Sequence, residues 1–190
     1  PQETLKYLQE VETVFQRFDG DGYHALGNHD VDSIRKAEFL RNIKNAGQEQ
    51  ARSYYSFETS ALICIVLDAN YDAAGKDHFY AEGANWEDAH IPPEELEWFK
   101  NTLTEAQKPV LVFCHHPLYP FYKEGSKFHV TNHQEVQELM EASQKVIACF
   151  HGHVHKEEFK TIKGIHYITQ LGMVDYEGLE NNSFSIVELD

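Results

Sequence analysis

The chain has 190 residues and a formal net charge of −15, from 31 acidic and 16 basic residues. Apolar residues make up 42% of the sequence, which suffices for one globular domain with a substantial core. No apolar run approaches the ~18 residues of a membrane span. Nucleic-acid polymers are bound by clustered Lys and Arg, so the acidic balance excludes a general polyanion-binding surface. A small phosphorylated ligand is still compatible with this charge, because bound divalent cations would reverse it locally.

The three cysteines, Cys64, Cys114 and Cys149, each lie within or at the end of an apolar run, without a CxxC pair. This pattern predicts buried free thiols and not a disulfide framework. Free thiols suit a reducing compartment, so we expect a cytoplasmic protein.

The first predicted element is a helix over residues 3–18, whose apolar residues recur at three- and four-residue spacing. Its inward face is expected to carry Leu5, Leu8, Val11, Phe15 and Phe18. A short strand over 23–26 should follow. Asp32 or Ser33 is expected to cap a second helix.

The middle of the chain predicts two strands, over 53–57 and 61–67, and the second ends in Asp68-Ala69-Asn70. Residues 71–92 have no periodicity, and an irregular segment of that length is often functional. Pro92 and Pro93 should open a third helix.

The second half predicts a buried strand over 110–114, a helix over 134–142 and another strand over 146–150. A hairpin over 156–170 and a last strand over Ser183–Leu189 complete the chain. The alternation of strand and helix predicts an α/β fold, with antiparallel pairing toward the C-terminus. Without any linker, residues 1–190 form one predicted domain.

Histidine-rich segments follow three of the predicted strands. They are Gly27-Asn28-His29-Asp30, His115-His116-Pro117 and His151-Gly152-His153-Val154-His155. Ligands of α/β sheets bind outside the carboxyl ends of the strands, so the three segments should converge. Imidazoles and an amide oxygen suit Zn, Mn or Fe.

These segments resemble the calcineurin-like metallophosphoesterases, whose signature runs D-x-H, G-D, G-N-H-D/E, H-x-P and G-H-x-H. The last three blocks are present here in the right order, each after an apolar run. The resemblance covers essentially the whole chain and implies an α/β/β/α sandwich of two mixed sheets flanked by helices. It also implies a two-metal centre, in which Asn28, His115 and His153 bind the second ion and His155 binds the first.

The same resemblance implies a hydrolase of phosphoester or diphosphate bonds that uses divalent Mn, Fe or Zn. A hydroxide bridging the two ions would attack phosphorus, and His29 would protonate the leaving oxygen. Asp30 would orient the His29 ring.

The chain departs from the family pattern at its start. Only 26 residues precede Gly27, and they contain no D-x-H. Their one G-D pair, Gly20-Asp21, lies in a predicted turn with no strand of its own to deliver it, so it is not expected to replace the family's G-D block. We therefore expect an N-terminally truncated domain with three ligands for one metal and a single ligand for the other. Such a chain should bind metal weakly, because a bridging carboxylate supplies charge and geometry. Missing strands would leave an exposed sheet edge and favour homodimerisation.

Further segments resemble the manganese-dependent ADP-ribose/CDP-alcohol diphosphatase group, which acts on small nucleotide conjugates. They are 53–57, 66–70 and 131–136. Near the strand ends, His116, His151, Asp68 and Asn70 are candidates for substrate contact, and Trp86 could stack on a base. The alternative is a non-catalytic phosphoesterase-fold scaffold, or a one-metal protein, that binds a protein partner.

Overall fold

The computed structural model describes residues 1–173, 175 and 183–188. Within them the helices are α1 (Gln2–Phe15), α2 (Lys36–Asn42), α3 (Pro93–Glu105) and α4 (His133–Ser143). The strands are β1 (Tyr55–Glu58), β2 (Ile63–Leu67), β3 (Val110–Cys114), β4 (Tyr122–Lys123), β5 (Ser126–Lys127), β6 (Val146–His151), β7 (Glu158–Ile162) and β8 (Ile165–Thr169). Short 3-10 turns lie at Asn28–Val31 and Tyr80–Glu82.

Six strands form one mixed sheet in the order β1-β2-β3-β6-β8-β7. The four central strands, β2, β3, β6 and β8, are parallel, and antiparallel β1 and β7 form the two edges. The parallel strands therefore end at one edge of the sheet, where Leu67 lies opposite Cys114. The predicted α/β class is confirmed, as are the third and fourth helices and the C-terminal hairpin.

The main core lies between the sheet and the two helices α3 and α4. Phe99 and Met140, both fully buried, pack in this layer with the strand residues Ile65, Val112 and Tyr167. Buried apolar side chains are what hold the helices on the sheet, and each contributes about 1.5–3 kcal/mol.

The opposite face of the sheet is covered less completely. Its buried cluster consists of Cys64, Leu111 and Ala148, with half-buried Phe113 and Phe150 against them. All members of this cluster come from strands or from residues flanking them. On the edge strand β7, Phe159 is 65% exposed. The expected homodimer stays a prediction.

The first helix is shorter than predicted and faces differently. It ends at Phe15, and it contacts α2 through Leu5 and Leu8, which are half-buried. The expectation that Val11, Phe15 and Phe18 point inward is wrong, because these side chains are 65%, 38% and 68% exposed. Among the described residues, the core that contains Leu5 and Leu8 gathers only α2 and nearby segments, so it buries a single side of α1.

The predicted strand over 23–26 does not form, because its backbone groups bind side chains instead of a neighbouring strand. The His24 amide donates to Asn45 at 2.9 Å, and the His24 carbonyl accepts from the Tyr55 hydroxyl at 2.8 Å. The second helix begins at Lys36, later than predicted, and the Arg35 amide donates to the Glu38 carboxylate at 2.9 Å. Neither Asp32 nor Ser33 is its cap.

The second large sheet expected from the family resemblance is not formed by the described residues, where the only other sheet is the β4–β5 hairpin. Of the predicted last strand, residues 183–188 are not in a strand, and Leu189 lies outside the described residues. The longest helix in the part of the chain that the structure covers has 14 residues, and none there is long and apolar enough to cross a bilayer. All three cysteines are free and buried, as expected.

Candidate metal centre

Three side chains from distant parts of the sequence converge at the carboxyl ends of β3 and β6. Asn28 lies in the first 3-10 turn, His115 follows β3, and His153 follows β6. The Gly152 amide donates to the His115 carbonyl at 3.0 Å, which joins the two strand ends. The predicted convergence of these three ligand candidates is therefore present in the fold.

The amide oxygen of Asn28 lies between the two imidazoles. Its Oδ1 is 2.9 Å from His115 Nε2 and 3.0 Å from His153 Nδ1. Two ligand atoms at neighbouring positions of an octahedral shell are about 3.0 Å apart when each is about 2.1 Å from the ion. The same distances also fit ring N–H groups that donate to the amide oxygen. The residues present fit three ligands of one divalent ion. We call this group of Asn28, His115 and His153 the half-site.

The backbone around these side chains is unusual. His153 and His155 have φ values of +68° and +51°, a left-handed conformation that is uncommon for residues other than glycine. Both rings are thus placed by turns, and the extended strand ends at His151. A Cβ at Gly27 would lie 3.1 Å from the His115 ring, so glycine permits this close approach.

Burial keeps the ligand imidazoles neutral. It lowers the pKa of His115 to about 3, with the nearby His153 adding to the effect. Burial, together with the charges of His29 and His155, lowers the pKa of His153 to about 4. Neutral rings keep a lone pair available, so protons would not compete with a metal for them at neutral pH.

His29 lies on the rim of this group, and its side chain is 77% exposed. Its Nδ1 is 2.8 Å from the Asp32 carboxylate, so Asp32 holds the ring. The Asp30 carboxylate instead accepts the Gly27 amide at 2.8 Å, and burial raises its pKa. The expectation that Asp30 orients His29 is therefore corrected to Asp32. Asp30 closes the turn that carries Asn28.

His155 is exposed, with its side chain 49% accessible, whereas His115 and His153 are half-buried. Its Nδ1 contacts the carboxylate of Asp175. In the residues that the structure describes, no three His, Cys, Asp or Glu side chains are grouped to hold a metal ion. The half-site is not such a group, because one of its three ligand candidates is the side-chain amide of Asn28.

The four candidates for substrate contact are all buried. Exposure is 0% for His116, Asp68 and Asn70, and 4% for His151. The His151 Nδ1–H donates to the Cys114 carbonyl at 3.1 Å, and both ring nitrogens of His116 lack a hydrogen-bond partner among the residues that the structure describes. Such burial does not support direct contact of these four with a substrate, although it leaves them close to the ligand candidates.

The family of the chain follows from its sequence as well as from this geometry. The sequence profile of the family described as calcineurin-like phosphoesterase matches residues 2–157. The chain belongs to this family. The match spans α1 through the His153–His155 turn and includes every candidate ligand.

Curated relatives of the phosphoesterase chain carry a more specific name. A manganese-dependent ADP-ribose/CDP-alcohol diphosphatase of Oryza sativa subsp. japonica is 26% identical over 186 residues, covering 80% of this chain and 57% of the relative. Its namesake in Arabidopsis thaliana is 23% identical, covering 80% of this chain and 60% of the relative. The chain thus spans less than two thirds of the length of either.

A solved structure supports the fold assignment. The dimetal phosphatase from Danio rerio aligns with a TM-score of 0.53 at 17% identity, covering 66% of this chain and 51% of that one. At this identity the likeness concerns the fold alone.

Three residues near the site were missed from the sequence. The sequence predicts Asp32 as a helix cap, although its spacing of three from His29 suits a contact within one turn. Lys36 was not singled out, yet it is a buried cation with a carboxylate partner. Asp175, the partner of His155, is 20 residues away in sequence and left no local signal.

Proposed function

We propose that the chain is part of a metal-dependent hydrolase of phosphoester or diphosphate bonds in small, nucleotide-type substrates. The observation that carries this proposal is the position of the Asn28 oxygen, within 3.0 Å of one nitrogen each of His115 and His153. An exposed His29, held by Asp32, lies at the rim of that group. Metal ligands beside an orientable proton donor are the components of metal-assisted hydrolysis.

The residues of this chain divide into holding and proton transfer. Asn28, His115 and His153 would hold one ion, and His155 would contribute to a second. Bound ions would activate water and neutralise charge on the phosphoryl oxygens. His29 donates its Nε2 proton to the leaving oxygen, while Asp32 accepts from Nδ1 and orients the ring.

Two observations favour a nucleotide-type substrate. The curated relatives are named for ADP-ribose and CDP-alcohols. In this chain, Trp86 is 37% exposed and its ring lies 4.8 Å from that of Phe128, which in turn lies 5.6 Å from the His153 ring. Exposed aromatic faces beside a phosphate site can stack on a base.

The first test is to read the gene upstream of the codon for Pro1. We expect D-x-H and G-D blocks there, and the protein that includes them should hydrolyse ADP-ribose or CDP-alcohols only when Mn²⁺, Fe²⁺ or Zn²⁺ is present. His29→Ala should abolish turnover and leave the bound metal in place.

The matched control is His166→Ala. His166 is exposed on β8 near the amino end of the strand, at the edge of the sheet opposite the half-site. Its removal should leave turnover unchanged. An upstream sequence without both blocks, together with no metal-dependent turnover, would decide for a scaffold or a one-metal protein. Full turnover in His29→Ala would refute the role of His29.

A further inference from the structure

A buried ionic cluster lies directly beneath the turn that carries Asn28. Lys36 is 5% exposed, and its Nζ is 2.7 Å from the carboxylate of Asp68, which is fully buried. The same Nζ donates to the Asn70 carbonyl at 3.2 Å. Replacing a buried ion pair by apolar residues is often neutral or stabilising, so stability alone does not explain this cluster.

Asn70 fixes the start of the segment that carries the site. Its Nδ2 donates to the Leu26 carbonyl at 3.1 Å, and Leu26 directly precedes Gly27. Asp68 Oδ1 accepts both the Asn70 backbone amide at 2.8 Å and the Asn70 Nδ2 at 2.9 Å. These two bonds fix the Asn70 backbone and orient its side-chain amide, so that the second N–H of Nδ2 faces the Leu26 carbonyl.

Lys36 fixes the end of the same segment. It is the first residue of α2, and besides Asp68 its Nζ lies 2.7 Å from the Asp77 carboxylate. The Tyr71 ring lies below it, with the centroid 3.2 Å from Nζ. An ammonium with this many partners cannot move without losing several contacts in a low-dielectric environment.

We propose that Asp68 and Asn70, together with Lys36, clamp both ends of segment 27–35 and thereby position Asn28 and His29. Asp68 lies at the carboxyl end of β2. The clamp therefore fixes the position of segment 27–35 relative to the same sheet that carries His115 and His153. The three clamp residues are positioning residues and touch no substrate. The inference rests on the proposed function only in that Asn28 is taken as a metal ligand.

The first experiment measures hydrogen exchange without metal, so it does not depend on the proposed function. Asn70→Ala should speed amide exchange in segment 27–35 by about tenfold or more, since local opening becomes cheaper. The matched control is Asn132→Ala. Asn132 is also buried, and it bonds both backbone groups of Ile91, at 3.1 and 2.9 Å. Asn132→Ala should lower the free energy of unfolding. Amide exchange in 27–35 should then speed up only as far as this loss of global stability requires, without additional local opening.

A second pair of variants covers the case in which Asn70→Ala does not fold. Lys36→Met keeps the side-chain length and removes the charge, and Lys36→Arg restores a cation. The first should loosen segment 27–35, and the second should recover part of the protection. Lys145→Met is the control, because Lys145 donates to the carbonyls of Leu103 and Thr104 at 2.8 and 2.9 Å in another part of the fold.

The final measurement is the Mn²⁺ affinity, which is determined from the electron paramagnetic resonance signal of the free ion. Asn70→Ala and Lys36→Met should bind Mn²⁺ about 10-fold more weakly than the parent, as is usual for residues that orient ligands. Asn132→Ala should match the parent. Unchanged exchange in 27–35 for both clamp variants would overturn the inference. Faster exchange with no Mn²⁺ bound by the parent would support the clamp and count against the metal site.

Discussion

His29 Nδ1 lies 2.8 Å from the carboxylate of Asp32, three residues further along the same turn. This contact fixes the ring of a side chain that is 77% exposed, so a leaving group could receive a proton from its other nitrogen, Nε2. The pair therefore supplies the orientation that a general acid requires.

Replacing Asp32 tests this pairing. Asp32→Asn should lower the turnover of the active protein about 10- to 100-fold, because the ring loses its orienting carboxylate. Metal content should not change, because none of the three ligand candidates is among the described residues that Asp32 contacts. Steady-state assays with metal analysis check both expectations.

The contrasting variant is Asp30→Asn. Asp30 accepts the Gly27 amide, so its change should weaken metal affinity by disturbing the Asn28 turn. If Asp32→Asn retained full turnover while Asp30→Asn lost it, the assignment made from the sequence would be restored.

Asn28 provides the most direct test of the half-site. Asn28→Ala removes the oxygen between His115 and His153 and should weaken Mn²⁺ binding about 10-fold or more. Asn28→Asp keeps an oxygen at the same place and adds charge, so its affinity should equal or exceed that of the parent. Calorimetric titration of the three proteins decides. Equal affinities for Asn28→Ala and the parent would remove Asn28 from the ligand set.

Much of the parallel sheet could be predicted because its strands are continuous apolar runs. Val110–Cys114 was predicted with the bounds that the structure has, and the residues that follow these runs meet at the predicted edge. What failed was local and depended on partners. The segment 23–26 has the apolar character of a strand, but its hydrogen bonds go to Asn45, Tyr55 and Asn70 side chains.

The candidate site could be predicted in its ligand candidates and not in their supports. Asn28, His115 and His153 stand in recognisable motifs, so their convergence followed from the order of the strands. Asp32 and Lys36 carry no motif, and an isolated aspartate or lysine in sequence is most often a solvated surface residue. Only the fold shows that one holds a ring and the other is buried.

Two phenylalanines that the sequence predicts to point inward can be compared by mutation. Phe99 on α3 is fully buried against the sheet, whereas Phe18, predicted to point inward as well, is 68% exposed. Phe99→Ala should cost about 3–5 kcal/mol in the free energy of unfolding. Phe18→Ala should stay within about 0.5 kcal/mol of the parent. Urea denaturation measures both. A large cost for Phe18→Ala would mean that this residue is covered in solution, for example by a second copy of the chain.

Glu95 gives a pH-dependent stability. It is fully buried on α3, where burial and the nearby Asp68 raise the pKa of its carboxyl well above the usual range. The Asp68 amide, which donates to Glu95 at 2.8 Å, and the Lys36 charge oppose this only in part. The folded protein therefore retains a proton that the unfolded chain releases near pH 4.3. The contribution of Glu95 to stability is full below that pH and is lost as the pH rises toward the folded pKa.

Glu95→Gln should remove this loss, because a neutral amide can still accept the Asp68 amide and has no proton to release. The free energy of unfolding of the variant should match that of the parent near pH 4 and exceed it at pH 8. Urea denaturation at a series of pH values follows the difference, with Glu97→Gln, an exposed residue on the same helix, as the control. A difference between Glu95→Gln and the parent that does not change with pH would show that Glu95 is ionised in the folded protein. In that case Lys36 would balance Glu95 as well as its two partners Asp68 and Asp77.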